Sequence, residues 1–138
     1  MNERPKILLV DDEPFNIAVL EQELDDLDYD TISAADGQAA LEQVAAASPD
    51  LVLLDITMPI MDGFAVLARL KADSATRDIP VIVISANNDM PSVVKGITLG
   101  AEDYLPKPFE PVLLQARISA CLERKQLRDK EQLYLKGL

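Results

Sequence analysis

The sequence predicts an α/β fold built on a doubly wound, five-stranded parallel sheet, and two patterns carry this prediction. Short apolar runs recur along the chain, and segments with apolar residues at helical spacing lie between them. Strands that alternate with helices form parallel sheets, because each helix returns the chain across one face by a right-handed crossover. The chain has 138 residues, which is enough for one such domain.

The predicted strands are the apolar runs themselves. They cover residues 6–10, 29–34, 51–54, 80–85 and 103–105. The first, third and fourth are nearly continuous runs of isoleucine, leucine and valine, which indicates burial on both faces of the sheet. The second alternates more between apolar and polar residues, as an edge strand does.

Four helices are predicted between these strands from the spacing of apolar residues. Those residues are Ile17, Leu20, Leu24 and Leu27, then Ala40, Leu41 and Val44, then Phe64, Leu67 and Leu70, and finally Val93, Val94 and Ile97. Pro14 suits the first turn of the first helix, and Asp36 is the predicted N-cap of the second. Ser48 and Pro49 should end the second helix, and Gly100 should close the fourth in a left-handed conformation.

A fifth helix is predicted after Glu110, and it is longer than the domain needs. Leu114, Ile118 and Cys121 lie at the spacing of a core-facing stripe, and mostly charged residues follow them. We therefore expect one globular domain over residues 1–122. Residues 123–138 are expected to form an extended C-terminal helix or linker.

The extension carries an incomplete coiled-coil pattern. The apolar residues near seven-residue spacing in the extension and in the helix just before it are Ala120, Leu127, Tyr134 and Leu138. Arg124 and Glu131 interrupt the same seam, so a dimerising helix and a frayed linker both fit the pattern. A homodimer through this helix is one of the two outcomes that the pattern allows.

Charge and composition exclude several kinds of ligand. The formal net charge is −11, and 14 of the 24 acidic residues lie in the first 60 residues, which contain only two basic residues. Such a field repels a phosphate backbone, so direct binding of nucleic acid is not expected. With no histidine and one cysteine, the chain lacks the usual zinc, copper and haem ligand sets. Any bound metal should be a hard cation held by oxygen atoms.

No targeting or membrane segment is predicted. Residues 1–5 lack the apolar run of a signal peptide, and no apolar run approaches the length of about 18 residues that a membrane span needs. We expect a cytoplasmic protein with no membrane contact.

Acidic residues follow two strands of the predicted sheet. In the flavodoxin-like order 2-1-3-4-5, ligands bind where the order reverses, at the carboxyl ends of strands one and three. Asp11 and Asp12 follow strand one, and Asp55 follows strand three. Three carboxylates at one sheet edge repel one another, so we expect a positive partner beside them. The candidates are Mg²⁺, which prefers oxygen ligands, and Lys107 at the end of strand five.

These residue types suit the transfer of a phosphoryl group. A carboxylate such as Asp55 is already ionised and attacks phosphorus without a general base. Mg²⁺ and Lys107 would neutralise the phosphoryl oxygens. The hydroxyl group of Ser85, at the end of strand four, would donate a hydrogen bond to one of them.

Four motifs, in this order and at these separations, resemble the receiver domain of two-component response regulators. They are ILLVDDEP, LVLLDITMPIMDG, VIVISA and DYLPKPF, and together they extend over roughly residues 5–122. The resemblance implies that Asp55 is the phosphoacceptor and that Asp11 and Asp12 are the acidic pair at the metal. It also implies that the backbone carbonyl of Thr57 completes the Mg²⁺ site.

The same resemblance assigns the remaining site residues. Ser85 matches the hydroxyl position of the family, Lys107 its lysine, and Tyr104 its switch aromatic. The bond between Lys107 and Pro108 matches one that the family holds in the cis form. We also expect Thr57 and Asn87 to flank the phosphoryl pocket and to set how fast water attacks it.

The resemblance implies a phosphorylation switch. A sensor histidine kinase or a histidine phosphotransfer protein would pass its phosphoryl group to Asp55, and Ser85 and Tyr104 would move inward. The face made by helix four, strand five and helix five would then change partners and control a downstream effector domain or protein. No enzymatic activity is expected beyond self-phosphorylation from small phosphodonors and self-dephosphorylation.

Three other functions compete with this one. An aspartyl-phosphate hydrolase of the haloacid-dehalogenase type needs a second acid two residues after its nucleophile, where this chain has Thr57. A flavodoxin-like FMN binder needs a Ser/Thr/Gly-rich loop after strand one, where this chain has DDEP. A degenerate receiver that never accepts phosphoryl would act only as a dimerisation module, and the complete set of site residues argues against it.

Overall fold

The chain alternates strands and helices throughout the residues that the computed structural model describes, which are 4–56, 62–86, 90–107 and 109–137. The strands are β1 (Lys6–Val10), β2 (Asp30–Ala34), β3 (Leu51–Leu54), β4 (Val81–Ser85) and β5 (Asp103–Pro106). The helices are α1 (Pro14–Asp26), α2 (Gly37–Ala47), α3 (Gly63–Ala72), α4 (Met90–Thr98) and α5 (Pro111–Gly137).

The strands form one parallel sheet in the order β2-β1-β3-β4-β5, which confirms the predicted fold class. β1 and β3 are neighbours, and their last residues, Val10 and Leu54, are paired. The amide of Asp55 continues this ladder by donating to the carbonyl of Val10 at 2.9 Å. The residues that follow β1 and β3 therefore begin side by side at one edge of the sheet.

Three strand boundaries differ from the prediction by one residue each. β2 begins at Asp30 and not at Tyr29, because the Tyr29 amide donates to the Leu24 carbonyl at the end of α1. β4 begins at Val81 because Pro80 has no amide hydrogen to donate. β5 extends to Pro106 because the Lys107 amide donates to the Ser85 carbonyl at 2.9 Å.

The predicted helix signals are confirmed. Pro14 stands at the start of α1, and Asp36 caps α2 by accepting a hydrogen bond from the Ala39 amide at 2.7 Å. Ser48 ends α2 with a left-handed backbone, and Gly100 has a φ of 111° just after α4. Only glycine adopts such a φ without strain.

Alternate residues of the central strands enter two cores, one on each face of the sheet. Leu8 and Val10 of β1 belong to the core under α2 and α3, whereas Ile7 and Leu9 belong to the core under α1 and α5. This confirms that the continuous apolar strands are buried on both faces. Tyr104 packs at the border of the first core.

Helix α5 runs without a break from Pro111 to Gly137, so the described chain after residue 122 is helical and not frayed. Leu114, Ile118 and Cys121 are buried, which confirms the predicted core stripe. At 1.5 Å per residue the helix is about 40 Å long. None of the helices in the described ranges has the length and apolar character of a membrane span.

Candidate functional site

Three carboxylates meet where β1 and β3 end. Oxygen atoms of Asp11, Asp12 and Asp55 all lie within 4.8 Å of one another. The side chains of Asp11 and Asp55 are buried, at 3% and 6% exposure, whereas Asp12 is exposed. The β1–β3 register causes this meeting, because Val10 and Leu54 end the two strands at the same level.

Lys107 brings a positive charge to the carboxylates from the end of β5. Its Nζ atom donates a hydrogen bond to Asp11 Oδ2 at 3.0 Å and lies 3.5 Å from Asp55 Oδ2. Burial lowers the pKa of the Lys107 ammonium group, but the hydrogen bond to Asp11 and the negative charges of Asp55 and Asp11 outweigh this effect. The pKa of Lys107 therefore lies above its ordinary value, and the group is positively charged at neutral pH.

Two hydrogen bonds from the start of α1 orient Asp11. The Glu13 amide donates to Asp11 Oδ1 at 2.9 Å, and the Asn16 side-chain amide donates to Asp11 Oδ2 at 3.3 Å. Asn16 is not among the site residues predicted from the sequence. The sequence feature that could have indicated Asn16 is its position in the first turn of the helix after the DDEP motif, because a side chain there can contact the end of the preceding strand.

Ser85 lies on β4 and Tyr104 on β5, so both are separated from β1 by the central strand β3. Ser85 is fully buried at the carboxyl end of β4, where it pairs with Pro106, the residue before Lys107. Tyr104 pairs with Val83 and lies nearer the middle of the sheet, away from the edge that carries the carboxylates. The structure thus brings Asp11, Asp12, Asp55 and Lys107 together and places Ser85 at the same edge.

The other predicted site residues lie outside the part of the chain that the structure describes. These are Thr57, whose carbonyl was assigned to the metal, Asn87, which was assigned to the pocket rim, and Pro108, which was assigned a cis bond.

The donor atoms at the strand ends fit Mg²⁺. Mg²⁺ is usually held by one or two carboxylates and keeps several water molecules. Asp11 and Asp55 supply oxygens from buried positions, and the exposed Asp12 leaves one side of the cluster open to water. The three carboxylates carry more negative charge than the single positive charge of Lys107 can balance, and this excess also favours a divalent cation.

An apolar groove of about 550 Å³ opens beside Asp55 between α1 and the start of α5. Phe15 and Val19 of α1 line one wall, and Phe109 and Pro111 line the other. Phe15 is 71% exposed, which is unusual for a large aromatic side chain. The groove gives a second molecule an apolar surface next to the carboxylates.

Comparison with known proteins assigns the chain to a family. The model of the response regulator receiver domain matches residues 7–119. The chain belongs to this family. A receiver domain takes part in phosphorylation-dependent signalling within two-component systems, and its family typically binds Mg²⁺. This confirms the resemblance drawn from the four motifs.

Individual relatives agree with the family. A probable transcriptional regulator, ycf27, of Porphyridium aerugineum is 43% identical over 122 residues, which are 88% of this chain and 50% of the relative. The response regulator PleD of Caulobacter vibrioides is 41% identical over 124 residues, which are 90% of this chain and 27% of the relative. The receiver chain thus spans half or less of the length of these curated relatives.

A solved structure also matches the receiver fold. A putative response regulator from Chloroflexus aurantiacus superposes with a TM-score of 0.84 at 32% identity. The match covers 87% of this chain and 98% of that one.

Proposed function

We propose that Asp55 accepts a phosphoryl group from a sensor histidine kinase or a histidine phosphotransfer protein in the cytoplasm. The α4–β5–α5 face would then change shape and control a downstream effector domain or protein. The observation that carries this proposal is the buried Asp55 carboxylate at the end of β3, within 3.5 Å of Lys107 and beside Asp11 and Asp12.

The proposed transfer uses groups that the chain already holds in place. An Asp55 carboxylate oxygen attacks phosphorus, the phosphorus–nitrogen bond of the phosphohistidine breaks, and the imidazole leaves. Lys107, now 3.5 Å from Asp55, would pair with the phosphoryl oxygens, and the Ser85 hydroxyl would donate to one of them. Asp11 keeps Lys107 directed at the site through its 3.0 Å hydrogen bond.

Mg²⁺, held by Asp11, Asp12, Asp55 and the Thr57 carbonyl in this proposal, would neutralise charge on the phosphoryl oxygens. Because the ligand oxygens of the three aspartates are within 4.8 Å of one another, a single ion among them can reach each one directly or through one of its water molecules.

The groove beside Asp55 supports docking of the phosphodonor. A donor must bring its histidine to a carboxylate that is only 6% exposed, so it has to bind closely against the surrounding surface. Exposed Phe15 and Val19 on α1 offer apolar contact next to that carboxylate. This supports α1 as the side from which the donor approaches.

The proposed output face lies on α4, β5 and α5. α4 exposes Met90, Val94 and Ile97, at 72%, 53% and 47%. Apolar side chains that cluster on one exposed helix favour contact with another protein. Tyr104 on β5 lies between this helix and the core, which supports its role as the switch aromatic.

The decisive experiment is intact-mass analysis after incubation with acetyl phosphate, with and without Mg²⁺. We expect one alkali-labile phosphoryl adduct that requires Mg²⁺ and disappears in Asp55→Asn. The variant Asp50→Asn, which removes an acid at the other end of β3, should retain the adduct. No adduct under any condition would favour an interaction module that does not accept phosphoryl. Rapid turnover of acetyl phosphate would favour a hydrolase.

We further propose that residues 1–122 form the receiver domain and that residues 123–138 form an extension that pairs with a second copy. Arg124 and Arg128, in the first turns of the extension, bind Glu102 at 3.7 and 3.1 Å and so fix its direction. Farther along, Leu127, Tyr134 and Leu135 are 60% exposed or more. Apolar side chains at these positions favour a helix–helix contact between two chains.

Phosphorylation is expected to tighten this dimer, because it changes the α4–β5–α5 face from which the extension leaves. Sedimentation across a range of protein concentrations should show stronger association for the phosphorylated chain. Leu127→Glu should abolish the difference, and Gln132→Glu on the same helix should preserve it. Equal sedimentation of the two wild-type forms at every concentration would count against tightening of the dimer by phosphorylation.

A further inference from the structure

Helix α4 packs on the sheet through a residue that has no side chain. Of its nine residues, all of them within the described ranges, Gly96 alone is buried. Glycine in the interior of a helix is unfavourable relative to alanine, because its backbone loses more freedom when it is ordered. A buried glycine at this position therefore calls for a packing reason.

The Tyr104 ring supplies that reason. A β-carbon on Gly96 would lie 3.2 Å from Cδ2 and 3.4 Å from Cε2 of Tyr104, and 3.7 Å from Cε1 of Phe64. Packed carbon atoms usually lie about 3.5–4.0 Å apart. The ring of Tyr104 thus occupies space that a side chain at position 96 would need. On the same turn, Lys95 Nζ lies 4.5 Å from the centroid of the Phe64 ring.

We propose that Gly96 is a positioning residue for Tyr104. Because residue 96 has no side chain, the Tyr104 ring can pack directly against α4. The size of residue 96 then sets the equilibrium between two arrangements of the α4–β5 face. This inference rests on the proposed function, in which Tyr104 moves when Asp55 is phosphorylated. Because Gly96 is the one buried residue of α4, a change in the ring's position changes the contact at the buried position of this helix.

Gly96→Ala adds one methyl group at the edge of the ring. To accept this methyl group, the ring or the helix must move by a few tenths of an ångström, and we expect the ring to be displaced from its rotamer. The cost of leaving a rotamer corresponds to about a twofold to tenfold change in an equilibrium. The free energy of unfolding of Gly96→Ala does not measure this contact by itself, because alanine also stabilises a helix relative to glycine. The position of the ring itself has to be measured.

Fluorine NMR of the chain labelled with 3-fluorotyrosine measures that position. The chain has three tyrosines, and Tyr29→Phe and Tyr134→Phe assign the resonance of Tyr104. We expect Gly96→Ala to move the Tyr104 resonance and leave the other two in place. Phosphoryl incorporation from acetyl phosphate should change about twofold to tenfold in the same variant.

Thr98→Ala is the matched control, because it improves helix propensity at an exposed position of α4. It should change neither the Tyr104 resonance nor phosphoryl incorporation. In a Tyr104→Val background, where the ring is gone, Gly96→Ala should no longer alter incorporation.

Each result decides one part of the inference. A Tyr104 resonance that stays in place in Gly96→Ala overturns the positioning role. A moved resonance with unchanged incorporation overturns the link to the switch. If the wild-type chain incorporates no phosphoryl group, the proposed function fails instead. The fluorine spectra need no phosphodonor, so they still decide whether Gly96 positions the ring.

Discussion

Replacing Lys107 with methionine is expected to slow phosphoryl incorporation from acetyl phosphate by about 10²-fold, the usual effect of removing one group that stabilises charge in a transition state. Lys107 Nζ lies 3.0 Å from Asp11 and 3.5 Å from Asp55. Without it, the buried carboxylates of Asp11 and Asp55 lose the ammonium group that contacts both of them, and the phosphoryl oxygens lose their ammonium partner. Time-resolved intact mass at saturating Mg²⁺ measures the rate.

Lys95→Met is the matched control for this experiment. It removes the same charge from an exposed position on α4, so it tests whether net charge alone affects the reaction with an anionic phosphodonor. Circular dichroism should show that both variants are folded. A Lys107→Met rate equal to that of Lys95→Met would mean that the metal alone neutralises the phosphoryl oxygens.

Gly63→Ala is expected to destabilise the domain by about 3 kcal/mol, near the upper end of what overpacking usually costs. A β-carbon at this position would lie 2.5 Å from both the Asp55 carbonyl oxygen and the Ile56 Cα atom. Both are backbone atoms, so neither can turn away as a side chain can. The Gly63 amide also donates to the Ile56 carbonyl at 3.1 Å, which holds the two segments together.

Urea unfolding followed by circular dichroism measures this loss of stability. Ala65→Ser, an exposed substitution in the first turn of the same helix, should change the unfolding free energy by only about 0.5 kcal/mol. Because the clash falls on the backbone of Asp55, we also expect slower phosphoryl incorporation in Gly63→Ala. Unchanged stability would show that α3 can move away from β3 without cost.

The grouping of the strand-end carboxylates was predictable because it depends on strong local signals. Continuous apolar runs identify strands buried on both faces, and the order of a doubly wound sheet brings the ends of β1 and β3 together. Asp11, Asp12 and Asp55 follow those runs directly, so their sequence positions were enough to predict that they meet.

Features that depend on tertiary contacts were not predictable. The packing of Gly96 against Tyr104 requires the distance between α4 and β5, which no local pattern contains. The bond from Arg128 to Glu102 joins residues 26 apart in the sequence across two elements. β2 begins one residue later than predicted because the Tyr29 amide donates to a carbonyl of α1 and not to the neighbouring strand. Hydrophobic periodicity contains no information about such competing hydrogen bonds.

Because α5 is a single unbroken helix, a small rotation at its first turn produces a larger displacement at its last turn. The helix begins at Pro111, four residues after Lys107, and extends for 27 residues. A tilt of only about 5° at its base would displace the far end by about 3.5 Å, because a helix of this length is about 40 Å long. A small change in the tilt of α5, caused by a rearrangement beside the carboxylates, would therefore move the far end of the helix by about the diameter of an atom. Any surface that the extension contacts would move by the same distance.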